Sequence, residues 1–183
     1  MNKWMVFLVC AVVTGCDSTV PLVTEPTLDI DPALVGLWQC TPDGSPAVNL
    51  LILPLNKREY LVSYPAGEKE ALFARGCLWR SGERTLVQLD WFGTVKGTVP
   101  TDSRTFQFAR YRVEGEVLRV QLLNLSDRLR EATSPEELAK AFLGSQSDPE
   151  LYREEIIFKR VRQETRPAPD EKPDADEPKP DKA

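Results

Sequence analysis

From Gly36 to Leu125 short apolar runs alternate with turn-forming sequences, and that rhythm restricts the chain to an antiparallel meander. Gly36 to Cys40 is stopped by Thr41-Pro42-Asp43-Gly44. Val48 to Leu55 and Tyr60 to Tyr64 flank Asn56-Lys57-Arg58-Glu59, a hairpin pattern. Ala71 to Trp79 ends at Arg80-Ser81-Gly82-Glu83, and Thr85 to Phe92 follows. After a loop through Ser103, Arg104 to Val113 and Val117 to Leu125 flank Glu114-Gly115.

The last hairpin tests whether one face can be buried. With Glu114-Gly115 as a two-residue loop, Tyr111 faces Leu118 and Ala109 faces Val120. Ala109, Tyr111, Val113, Leu118, Val120 and Leu122 then form an inner face, and Arg110, Arg112, Arg119 and Gln121 a wet one. Phe106 and Phe108 fall on the wet side, so either a bulge turns them inward or a helix covers them. A helix is at hand: Ser134-Pro135-Glu136-Glu137 is a capping box with Pro at the first helical position. Leu138, Ala141 and Phe142 share one of its faces, and Gly144 ends it. Ser126 to Ala132 reads as a preceding turn of helix, Asp148-Pro149 as the cap of another, and Glu155 to Val161 as a final strand. The expected class is mainly β: a small antiparallel meander barrel or sandwich, with a helix before the last strand.

The chemistry is limited by what the chain lacks. It contains no His, which removes Ser-His-Asp and Cys-His catalysis and most zinc sites. The net charge of -5 argues against nucleic acid as a partner. Glu68-Glu70, Glu114-Glu116 and Glu136-Glu137 lie at turns or a helix start and read as solvated or capping groups. No catalytic, cofactor or metal residues are assigned. Arg110, Arg112 and Arg119 form a candidate anion patch, because like charges facing each other across a hairpin call for an acid or anion between them.

The N-terminus reads as an address. Lys3 precedes an apolar run from Trp4 to Val13, too short to span a bilayer and fit for an export signal. Val13-Thr14-Gly15-Cys16 resembles the lipobox of bacterial lipoproteins. The resemblance implies removal of residues 1–15, lipidation of Cys16 and a membrane partner through three acyl chains, more than the two signals that stable anchoring takes. It implies a cell-envelope protein facing the periplasm; Asp17 resembles the inner-membrane retention signal of enterobacterial-type lipoproteins. Residues 16–33, Pro-rich and without period, read as an extended tether reaching roughly 50 Å. Residues 34–162 form the globular domain. Residues 163–183 hold five Pro and seven acids and read as a disordered acidic tail. With Cys10 removed and Cys16 lipidated, Cys40 and Cys77 remain, and an even pair in an exported domain reads as a disulfide contributing roughly 4 kcal/mol.

Gly36-Leu37-Trp38 resembles the G-x-W of lipocalin-like (calycin) barrels, in which a late Arg packs over the Trp; Arg160 or Arg162 would fill that place. The resemblance implies a barrel with a lumen, which Trp38, Trp79 and Tyr111 would line. Two functions are expected: a non-enzymatic binding or interaction module of the envelope, or a carrier of a small apolar ligand or lipid. A hydrolase is the third, without a nucleophile motif to support it.

Overall fold

The computed structural model describes residues 18–42, 44–98 and 106–162. The segments read as export signal, lipobox with Cys16 and acidic tail lie outside them. Nine strands lie among the described residues: β1 Gly36–Cys40, β2 Val48–Pro54, β3 Glu59–Tyr64, β4 Leu72–Ser81, β5 Arg84–Thr94, β6 Gly97–Thr98, β7 Phe106–Glu114, β8 Val117–Leu122 and β9 Ile156–Arg160. Helices α1 Asp127–Arg130 and α2 Pro135–Gly144 stand between β8 and β9. Asp148-Pro149 starts no helix; it forms a turn, with Asp148 Oδ1 accepting from the Glu150 amide at 2.8 Å.

Eight strands close a barrel, and the sandwich alternative is set aside. The order runs β1-β2-β3-β4-β5-β7-β8-β9, all antiparallel, while β6 is a two-residue hairpin on β5. Closure depends on β9, which pairs with β8 through Leu118↔Phe158 and with β1 through Trp38↔Arg160. A closed sheet has no edge left to pair with another chain. The β7–β8 loop is Gly115-Glu116 rather than Glu114-Gly115, with Gly115 supplying a φ of +60° at its first position. Tyr111 therefore faces Val120, two residues from the expected register. A shift of two leaves every side chain on its face, so the expected inner face survives.

Alternation splits the apolar residues into two cores. Trp38, Ile52, Tyr60, Val62, Ala74, Leu118 and Phe158 fill the inside of the barrel. A second core lies outside the wall, where Leu86 and Phe108 meet Leu129, Leu138 and Phe142 of the helical segment. The helix, not a bulge, resolves the misplaced phenylalanines: Phe108 is fully buried beneath it. Ser134 accepts from the Glu137 amide, and Glu137 accepts from the Thr133 amide at 2.9 Å and its hydroxyl at 2.8 Å. Those bonds hold the Glu137 carboxyl below the usual range.

Of the residues expected to form an extended tether, 18–33 are described and form a strap instead: Val20, Leu22 and Val23 pack in the outer core, and Leu28 and Ile30 pack against the inner one. Ser18 exchanges backbone hydrogen bonds with Phe106 at 3.3 and 3.0 Å and is buried. The buried side chain of Gln88 accepts from the Leu22 and Val23 amides and donates to the Val23 carbonyl, at 2.6, 2.9 and 2.9 Å. Further on, the Ile30 amide donates to the Lys57 carbonyl at 3.0 Å. The strap thus runs from the end of the barrel where β7 starts to the end where β1 starts.

Candidate functional site

The β1 end of the barrel is plugged. The strap's last turn, Pro32–Leu34, is capped by Asp31 and drops Leu34 into the barrel core. Trp38 is completely buried above it and donates its indole N–H to the Leu34 carbonyl at 2.8 Å. Arg160 lies over the Trp38 ring with its guanidinium carbon 4.1 Å from the centroid. It also donates to the Val35 and Ala33 carbonyls at 2.6 and 2.8 Å. Of the two arginines expected to cover Trp38, Arg160 does so, while Arg162 pairs with Glu116 at 3.5 Å. Gly36 is required here: its φ is +147°, and a Cβ would stand 2.5 Å from Arg160 Nη1. Two phenols complete the plug. Tyr60 donates to the Asp31 carbonyl and Tyr111 to the Asp31 carboxylate, at 3.2 and 3.1 Å. Burial pushes both phenols up, Tyr60 to about 12.

Above the plug the lumen is nearly full. An apolar void of about 70 Å³ remains, bounded by Leu34, Leu50, Tyr60, Leu89, Tyr111 and Val120 among others. Of the three aromatics expected to line a ligand cavity, Tyr111 borders the void, and Trp38 is buried in the inner core without bordering it. Trp79 is a correction: it faces outward and meets Phe142 edge-on at 5.6 Å. Strand parity explains the split, because Trp79 alternates with Leu78, which belongs to the inner core.

The expected disulfide is also corrected. Cys40 and Cys77 are both free and both buried. Cys40 belongs to the inner core beside Trp38. Cys77 pairs in register with Gln88 and lies 3.8 Å from its side-chain nitrogen, under the strap on the outer wall. A closed wall separates the two sulfurs, and no disulfide geometry connects opposite faces of one sheet. Desolvation raises both thiols, Cys77 to about 11. Neither should therefore react with a disulfide reagent in folded protein at pH 8, and Cys40 and Cys77 should both become reactive in denaturant without prior reduction. No reactive thiol in the denatured, unreduced protein would contradict this.

The arginine cluster exists but carries its own counterions. Arg110, Arg112, Arg119, Gln121 and Glu155 line a surface cleft of about 340 Å³. Arg112 faces Arg119 across the hairpin. Glu114 lies 3.3 Å from Arg112 and 3.4 Å from Arg119, and Glu155 lies 2.7 Å from Arg119. Arg110 donates to Gln121 at 2.8 Å and lies over the Tyr152 ring at 3.9 Å. Three cations against two acids leave little field for an anion, and exposed pairs of this kind are screened by solvent and contribute little. Glu155 was not legible as a partner, because only the return of β9 beside β8 brings it to the hairpin.

A surface the sequence reading did not single out lies on the outer wall of β2 to β4. Leu51, Leu53, Leu61, Phe73, Ala71 and Val95 border an apolar groove of about 360 Å³. Outward apolar residues on alternating strand positions were the available signal. Among the described residues, no three His, Cys, Asp or Glu converge as metal ligands, and no helix is long and apolar enough to cross a membrane. No protein-family model matches the sequence, and no curated protein matches it.

Proposed function

We propose that this chain is a lipid-anchored lipoprotein of the bacterial cell envelope, facing the periplasm, whose lipocalin-like barrel serves as a non-enzymatic interaction module. The observation that carries the reading is the filled lumen. A void of about 70 Å³ is far below the roughly 300 Å³ at which small-molecule pockets begin. The surfaces with room for a partner lie outside, in the apolar groove and the arginine cleft. The lipocalin-like assignment is supported by Gly36, Trp38 and Arg160 in one stacked unit. Lipid anchorage is supported by Val13-Thr14-Gly15-Cys16.

A carrier of a small apolar ligand requires the barrel to open, and Leu34 and the Asp31–Tyr60–Tyr111 bonds oppose that at one end. Native mass spectrometry of the folded barrel separates the two. The interaction module gives the mass of the polypeptide and its modification alone. A stoichiometric lipid or metabolite, lost on denaturation, would overturn this reading in favour of the carrier.

A further inference from the structure

We infer that two copies of this chain pair face to face through the bare outer wall of β1 to β4. The inference rests on the interaction-module reading above and names the partner of its apolar groove. Register shows how the wall is built. Leu37 pairs with Leu51, Leu53 with Leu61 and Ser63 with Phe73, so outward side chains of four strands adjoin. Elsewhere the chain covers its own outer wall: α2 lies over Leu86 and Phe108, and the strap over Cys77 and Gln88. Among the described residues nothing covers Leu53, which is exposed, or the groove it borders with Leu51, Leu61 and Phe73. A contiguous apolar face left bare in this way marks an interaction surface.

Charge around the groove selects the partner. Glu68 borders it, and Arg75 stands beside Leu61 on the same face. Both are exposed, and neither has an ion-pair partner among the described residues. Lys69, Glu70 and Lys96 extend the rim, also exposed and also without such partners there. A rim of both signs suits neither an anionic lipid surface nor a strongly charged partner, each of which would set one sign against its like. It suits its own copy. A two-fold axis normal to the wall near Phe73, which lies between Glu68 and Arg75 in the chain, sets Arg75 of each copy against Glu68 of the other. Contact is by faces, about 10 Å apart, because a closed barrel has no strand edge to offer. Four strands about 4.8 Å apart make the wall roughly 20 Å wide, so the interface is at the small end of specific contacts and the pairing is reversible.

Energy transfer between labelled copies tests the pairing in the full chain. Glu83→Cys protein carries a donor in one preparation and an acceptor in another; position 83 is exposed, and Cys40 and Cys77 are buried. Intact mass confirms one label per chain, and the two preparations are mixed in phosphatidylcholine vesicles at a fixed surface density. Transfer should exceed that of randomly placed labels and fall when unlabelled protein is added in excess. Arg75→Glu and Glu68→Arg should each weaken the pairing about tenfold or more, and the double variant should bring it back to within about threefold of the wild type. Circular dichroism shows that the variants, all at exposed positions, remain folded. Transfer no greater than random overturns the pairing and leaves the interaction module standing, which only a stoichiometric ligand in native mass spectrometry overturns. Transfer that the single reversals leave unchanged, or that the double variant fails to restore, overturns this face as the contact.

Discussion

Trp38→Ala is expected to cost about 3–5 kcal/mol of folding stability, a large share of the 5–15 kcal/mol that holds a typical domain together. The indole is wholly buried and joins three parts of the plug. It packs in the barrel core, donates to the Leu34 carbonyl and supports the Arg160 guanidinium. Removing it leaves a cavity, an unbonded carbonyl and an arginine without the ring it covered. Trp38→Phe keeps most of the volume and loses the indole N–H, so a much smaller loss is expected, with the bond itself contributing about 1 kcal/mol. Urea denaturation followed by circular dichroism gives both values. A loss below about 1 kcal/mol for Trp38→Ala would mean that the plug does not hold this end of the barrel.

Phe142→Ala should have a comparable cost in a different place. Phe142 is fully buried in the outer core, edge-on to Trp79 and beside Leu129 and Leu138. About 3–5 kcal/mol is expected again, but it should fall on the attachment of α2 to the wall. The barrel has its own core, so it need not open when the helix does. Hydrogen exchange should show residues 135–144 losing protection while β1 and β2 keep theirs. Equal loss throughout would make the two cores one cooperative unit.

The features that were legible in the sequence are those set by local pattern. β1 was readable to the residue, because Gly36 and Thr41-Pro42 bracket it. The capping box placed α2, since Ser134 and Pro135 act within one turn. The inner face of β7 and β8 was readable despite the wrong loop, because a two-residue slip preserves parity. Phe106 and Phe108 even signalled that something must cover the wall.

What was hidden depended on contacts distant in the chain. The strap has no period of its own; its backbone groups are satisfied by Gln88, a residue 66 positions from Leu22. A Pro-rich segment bonded in that way has the same sequence signature as a free one. The cysteines show a different limit. Parity within a strand placed Cys40 with Trp38 and Cys77 with Trp79. Which face of β4 looks inward was decided only by how the strand pairs with its neighbours in the closed barrel. The same uncertainty placed Trp79 in the lumen. The candidate cavity was therefore assembled from residues that the closed wall keeps apart, and the apolar groove on its outside had no motif to announce it.

We propose that a filled barrel is held at a lipid surface through the side chain of Cys16. Expression of the wild-type chain and of Cys16→Ser in a bacterial host, followed by separation of membranes and intact mass measurement, tests it most directly. The wild type should sediment with membranes, begin at Cys16 and carry the added mass of its acyl chains, and Cys16→Ser should lack that mass and leave the membrane fraction. A Cys16→Ser protein that stays as firmly attached as the wild type, or a wild type without acyl mass, would contradict the account.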